Sequence, residues 1–165
     1  MKNIGQKELI EFNFRGGRMP SGFIMPEGDP PPNPDPETVD NPANTPVPYI
    51  LGNVENLVNQ FDPTTVKQKG FPKVIATEHL EVRVVSLAPG DQPDSHRHQN
   101  EMDEATLVLE GQLKYYINGE EVVAGPGDLV HVPGGSWHYV KNEGSEDCII
   151  LNILGGRLPV RTEWR

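Results

Sequence analysis

The sequence predicts an all-β fold, an antiparallel sandwich or barrel, with an extended Pro-rich arm ahead of it. Three observations point there. The 165 residues include 17 Gly and 17 Pro, roughly a fifth of the chain against an average of about 12 per cent, which disfavours a helical bundle and favours short strands joined by tight turns. From Phe71 onward, strand-length runs rich in β-branched residues are cut by turn signals: PKVIATEH, LEVRVVSLAPG, EATLVLEG, QLKYYING, EEVVAGPG, DLVHVPGG, SWHYVKNEG and DCIILNILGG. Their spacing of about ten residues is that of a sandwich or barrel. Finally, Asn118-Gly119 between LKYYI and EEVV is the dipeptide of a type I′ hairpin, which needs positive φ at both central residues.

Taken in order, residues 1–18 hold a short apolar pattern around Leu9 to Phe14 that fits a strand or a helix equally. Residues 19–48 form an acidic arm carrying ten of the 17 prolines, whose fixed φ and missing N–H impose extended, hydrogen-bond-poor backbone. Residues 49–70 suggest a helical turn or two around Val54 to Phe61, closed by Asp62-Pro63. The domain reading is therefore an N-terminal segment over 1–70 and a β-barrel over 71–165. Eight short strands suffice for one small core.

Charge follows the same division. Between Met19 and Val66 there are seven acids and no Lys or Arg, so this stretch supplies most of the net charge of -10. An acidic chain without a basic run excludes phosphate-backbone binding, and hence nucleic acid, as the expected partner. No stretch approaches the length of a membrane span and the N-terminus lacks a signal-peptide core, so the expectation is a soluble, cytoplasmic protein. The single cysteine, Cys148, lies in the apolar run CIILNIL and reads as a small buried hydrophobe.

Three of the five histidines fall in two segments of the β region. His96 and His98 are one residue apart in SHRHQ, so in extended backbone both imidazoles project from one face and Arg97 from the other. His138 follows a Pro-Gly-Gly turn in VPGGSWHYV, on a strand expected opposite that pair. Glu101, Asp103 and Glu104 offer a fourth ligand from the intervening segment. Imidazole with carboxylate suits divalent iron, manganese, nickel, copper or zinc, and spacing alone does not choose among them.

These residues resemble the two motifs of the cupins. The first, G-x5-H-x-H-x(3,4)-E-x6-G, is matched by Gly90, His96, His98, an acid and Gly111; the second, G-x5-P-x-G-x2-H-x3-N, by Gly127, Pro133, Gly135, His138 and Asn142 without a gap. In the first motif Glu104 lies seven residues before Gly111, as required, but one residue too far from His98. The unbroken run EATLVLEG fixes the register to the glycine, whereas the loop QNEMD can absorb an insertion, so Glu104 is preferred, with Asp103 and then Glu101 behind it. The resemblance spans about residues 80–155. It implies a double-stranded β-helix, or jelly-roll, barrel with one metal held by His96, His98, Glu104 and His138, Fe2+ first with Mn2+, Ni2+, Zn2+ or Cu2+ as alternatives, and it implies a homodimer.

Further candidates come from strand alternation. His131 in DLVHVP shares a face with Leu129, opposite Val130 and Val132: on an inward face it is a general acid or base near the ion, on an outward face a surface histidine. One of Tyr115 and Tyr116 points inward and is a candidate proton carrier. Arg83 is a candidate partner for a substrate carboxylate or a member of a surface ion pair, Trp137 packs on the outer face or at a subunit contact, and His79 is exposed. Three functions follow: a metal-dependent dioxygenase acting on a small molecule, a redox-neutral lyase, isomerase or hydrolase using the same ligands, and a non-catalytic binding or sensing module.

Overall fold

The computed structural model describes residues 53–77, 79–156 and 160–165. The pattern around Leu9 to Phe14 and the arm over 19–48 lie outside the described residues. In chain order come helix α1 (Val54–Leu57), strand β1 (Asn59–Gln60), helix α2 (Pro63–Lys69), and strands β2 (Ile75–Ala76), β3 (Leu80–Leu87), β4 (His96–His98), β5 (Met102–Glu110), β6 (Leu113–Ile117), β7 (Glu120–Ala124), β8 (Leu129–Val132), β9 (His138–Lys141), β10 (Cys148–Gly156) and β11 (Thr162–Trp164). All eight expected runs contain a strand. The short β1, β4 and β11 fall outside those runs.

The strands form two sheets, β1-β3-β10-β5-β8 with β2 also on β3, and β11-β4-β9-β6-β7. The sheets pack face to face: Val85, Leu87, Val108, Val130, Val132, Cys148 and Ile150 of the first meet Leu113, Tyr115 and Ala124 of the second in one apolar cluster. This is the all-β jelly-roll barrel that the sequence predicts. Alternation sets the facing: β8 buries Val130 and Val132 while Leu129 and His131 are exposed. The β6–β7 hairpin turns at Asn118 and Gly119, with φ of 50° and 91°, both positive as a type I′ turn requires.

One local expectation is reversed. Asp62-Pro63 was expected to close a helix running to Phe61, but α1 ends at Leu57 and Asp62 instead starts α2. Its carboxylate accepts from the N–H groups of Thr64 and Thr65, and Pro63 takes the first helical position, where its missing N–H costs nothing. Phe61, just ahead of this cap, packs against the barrel core.

Asn142 ties the residue after β9 to the end of β3 and the turn that follows it. It is fully buried, its amide donates to Leu87 O and Glu146 O at 2.8 Å each, and its Oδ1 accepts from Gly144 N at 2.9 Å. Its backbone also bonds Gly90 N and Asp91 O, so the last residue of the second histidine motif is tied to the first residue of the other. Asn142→Ala is expected to cost about 1–3 kcal/mol by stranding the buried Leu87 carbonyl and two part-buried groups, Glu146 O and Gly144 N, read as a lower denaturation midpoint. Cys148 is expected to resist alkylation until the chain unfolds, because burial raises its thiol from the usual 9.0 to about 11. Ionisation of that thiol thus favours the unfolded chain, so its contribution is whole below pH 9 and is lost as pH rises through about 11.

Candidate metal centre

β4 is only three residues long, yet its burial alternates as expected: His96 and His98 are buried and Arg97 between them points out. β9 lies beside it in register, with His96 opposite His138. The turn before β9 brings His138 into place. Gly135 has φ of 77°, a left-handed conformation that favours glycine, and a Cβ there would collide with the Asn100 side chain. On the other sheet, β5 alternates Met102 in, Asp103 out and Glu104 in.

The outcome is a cluster of four buried ligand groups. One atom each of His96, His98, Glu104 and His138 lies within 4.8 Å of the others. Asp103 and Glu101 are exposed, and Asp103 instead accepts from Gly134 N at 2.9 Å, so of the three acids it is Glu104 that strand register brings to the histidines.

Each imidazole is gripped on its far nitrogen. His96 Nδ1 lies 2.9 Å from Asp94 O and His138 Nδ1 2.9 Å from Ser136 O, in both cases the carbonyl two residues back. A carbonyl only accepts, so these Nδ1 atoms carry the proton and leave Nε2 with a bare lone pair. His98 Nδ1 lies 3.3 Å from the Thr162 hydroxyl, while its Nε2 is 3.1 Å from Glu104 Oε2. His138 Nε2 sits 3.3 Å from the same oxygen but outside hydrogen-bonding geometry, and is a buried nitrogen without a partner. An orphaned lone pair beside two imidazoles and a carboxylate fits a divalent transition-metal ion.

The electrostatics of His96 and Glu104 agree with that fit. Burial, with His138 close by, pulls His96 from the usual 6.5 down to about 4, so it is neutral and a competent ligand at pH 7. Burial opposes charge on Glu104, but the His138 and His98 rings outweigh it and hold the carboxyl well below its usual range. Burial also opposes charge on His138, and Glu104 reverses the sign, leaving it raised.

The cluster opens on a cavity lined by Arg83, His96, Glu104, Tyr115, His138 and Asn152, with Phe71, Val85, Leu87 and Ile150 among its apolar wall. Of the three proton-carrier candidates, Tyr115 reaches this wall. His131 does not: it lies outside with a 62% exposed side chain, 3.6 Å from Asp103, because Val130 and Val132 claim the inner face of β8. Tyr116 also faces outward, stacked on Tyr139 at 4.4 Å between ring centroids. Trp137 packs on the outer surface between Arg97 and Arg165, 4.9 and 4.6 Å from its ring centroid, and His79 is exposed.

Two features of the site escaped the sequence reading. Asn152 donates to Glu104 Oε1 at 2.8 Å and to Thr106 Oγ1 at 3.0 Å. Its signal was a lone polar residue in the run CIILNILGG, where a buried amide demands partners. β11 covers the back of the ligands, with Trp164 4.7 Å from the His96 ring and Thr162 on His98. TEW at the end of the chain carries no period that marks it.

Comparison with known proteins agrees with this geometry. Residues 83–154 match the family described as the cupin domain. The chain is 30% identical over 86 residues to a gentisate 1,2-dioxygenase of a Ralstonia species, covering 52% of this chain and 24% of that one. It is 31% identical over 131 residues to an acireductone dioxygenase of Leishmania infantum, covering 67% and 38%. It thus spans well under half the length of these relatives. Among solved structures, a Klebsiella pneumoniae protein with a double-stranded β-helix domain superposes with a TM-score of 0.55 at 23% identity, covering 69% of this chain and 96% of that one, a likeness of fold. Among the described residues no helix is long and apolar enough to cross a membrane. With both histidine motifs folded into one buried cluster between two jelly-roll sheets, residues 83–154 of the chain form a cupin domain.

Proposed function

We propose that the barrel is a metal-dependent enzyme acting on a small organic molecule, in its leading form a dioxygenase-type oxidoreductase that uses Fe2+. The observation that carries this reading is the convergence of three imidazoles, gripped on their Nδ1 side, and one carboxylate at the wall of a buried cavity. The two similar proteins named dioxygenases support the dioxygenase form; Fe2+ is proposed ahead of Mn2+, Ni2+, Zn2+ and Cu2+. When bound, the ion supplies Lewis acidity and redox chemistry to a chelating substrate and dioxygen.

The chain's own residues set the stage for that chemistry. Asp94 O, Ser136 O and the Thr162 hydroxyl orient the rings, and Asn152 holds the carboxylate. Phe71, Val85, Leu87, Val140 and Ile150 keep the cavity apolar, which strengthens every electrostatic contact inside it. Burial, with Glu104 near, pushes the Tyr115 hydroxyl well above its usual range, so it serves as a hydrogen-bond donor and not as a base. That same buried proton supports a second reading, a redox-neutral lyase or isomerase in which Tyr115 protonates the substrate.

Metal analysis of the purified protein is expected to find iron at the site, with substrate-dependent oxygen uptake. Zinc, nickel or manganese with oxygen-independent turnover would favour the second reading, and no bound metal would sink both. His96→Ala and Glu104→Gln are expected to lose the ion, whereas Asp103→Asn keeps it. Retention by the first two would refute the ligand set. His131→Phe is expected to leave any neutral limb of the pH–rate profile in place.

A further inference from the structure

The cavity holds one buried cation that the metal cluster does not use. Arg83 sits on the inner face of β3, is 7% exposed, and lines the same cavity as His96, Glu104 and His138. Its Nε and Nη2 both donate to Glu81 Oε1, whose other oxygen meets Lys73 Nζ at 2.7 Å. The guanidinium carbon lies 4.9 Å from the centroid of the Phe71 ring, so the fork is held from below and from one side. Among the described residues, its remaining N–H groups have no protein partner. Lys73, Glu81 and Arg83 together carry one net positive charge.

Two more unpaired polar atoms belong to residues on this wall, the Tyr115 hydroxyl and Asn152 Oδ1. Asn152 stands opposite Arg83 in the β3–β10 ladder, where paired Cα atoms are about 5 Å apart, and its amide reaches Glu104. Arg83 is therefore one cross-strand step and one hydrogen bond from the ligand cluster. Glu104 neutralises only half the charge of a divalent ion, so both ends of the cavity are cationic in the loaded protein. Of the two unpaired atoms the Tyr115 hydroxyl is a buried donor and Asn152 Oδ1 an acceptor, and a buried polar atom without a partner is costly unless a ligand supplies one.

We infer that Arg83 is a carboxylate-binding residue and that the substrate is a small organic acid, with metal-chelating hydroxyl or oxo groups at one end and a carboxylate at the other. This rests on the metal-enzyme reading above. The planar fork suits a carboxylate bidentately, and one net charge matches a monoanion better than a phosphate dianion. Glu81 is a positioning residue: it fixes the fork from the far side.

The test titrates metal-loaded protein with protocatechuate, a catechol bearing a carboxylate on the far side of its ring, and with the corresponding amide. Wild type is expected to bind the acid roughly tenfold to a hundredfold tighter, the range of a charge-assisted hydrogen bond. Arg83→Gln is expected to erase that preference without changing metal content or affinity for the amide. Arg83→Lys, which keeps the charge without the fork, is expected to retain part of it. The double variant Glu81→Gln/Arg83→Gln removes both charges and guards against a folding defect caused by an unpaired Glu81. Equal affinity for acid and amide in wild type, a preference that survives Arg83→Gln, or no binding of either compound would overturn the proposal. Tighter Arg83-dependent binding of inorganic phosphate would overturn the carboxylate assignment. Metal content is measured first, so failure of the metal reading shows as protein without ion, and the acid-against-amide comparison on that protein still decides the role of Arg83.

Discussion

Glu104 is a carboxylate with 5% exposure in the middle of a barrel, and a buried charge of that kind costs several kcal/mol unless its oxygens are compensated. Within the chain, the His98 ring meets one oxygen at 3.1 Å and the Asn152 amide donates to the other, while His138 Nε2 stands 3.3 Å from the first oxygen without a hydrogen bond. Each of these is held in turn, His98 by Thr162, His138 by Ser136 O and Asn152 by Thr106. The chain of dependence thus runs through β4, β5, β9, β10 and β11, which is to say through both sheets. It also divides the interior. Val108, Leu113, Ala124, Val130, Val132 and Cys148 pack in the apolar cluster, while His96, Glu104, His138, Arg83 and Asn152 share the cavity.

How far this was legible in the sequence depends on what set each element. Long strands with one buried face announce themselves, because side chains alternate and turns are written in Gly, Pro and Asn. Hence β3, β5, β6, β8 and β10 were readable, and so was the His96–His98 pair, whose shared face needs only extended backbone. The choice between Asp103 and Glu104 needed the register of β5, which the run into Gly111 supplies. His131 was ambiguous because LVHV alternates perfectly without saying which face is inside. That is settled by packing against β5, where Ala105 stands opposite His131, and not by any local preference. Asp62-Pro63 was misread as a stop for a related reason: an N-cap followed by proline at the first helical position is written with the same letters as a loop.

Arg83 and Asn152 belong to a third case. In single strands they are polar interruptions in apolar text, LEVRVVSL and CIILNILGG, and each admits an ordinary explanation as a surface position. Only the β3–β10 pairing sets them side by side, and only the sheet-on-sheet packing turns that shared face toward the cavity. Arg83 was open to a carboxylate-binding reading in the sequence, but a pair formed by residues 69 positions apart has no local signature, so its juxtaposition with Asn152 was not.

β4 shows what this arrangement demands of the chain. Two of the four ligands sit on a strand of three residues that makes a single register pair with β9, too little ladder to hold itself straight. Its other edge is covered by β11 over all three residues. Outside, Arg97 is clamped by Glu163 at 2.8 and 2.6 Å and lies over Trp137; inside, Trp164 and Thr162 back the two histidines. The last strand therefore acts as the splint for the ligand strand. Imidazole nitrogens must be placed to a few tenths of an ångström for metal binding, and here side chains from β11 supply the rigidity that a three-residue ladder lacks. That division of labour lets the ligand pair lie close to the loop over residues 99–101, leaving one face of the histidines to the cavity and the other to the splint.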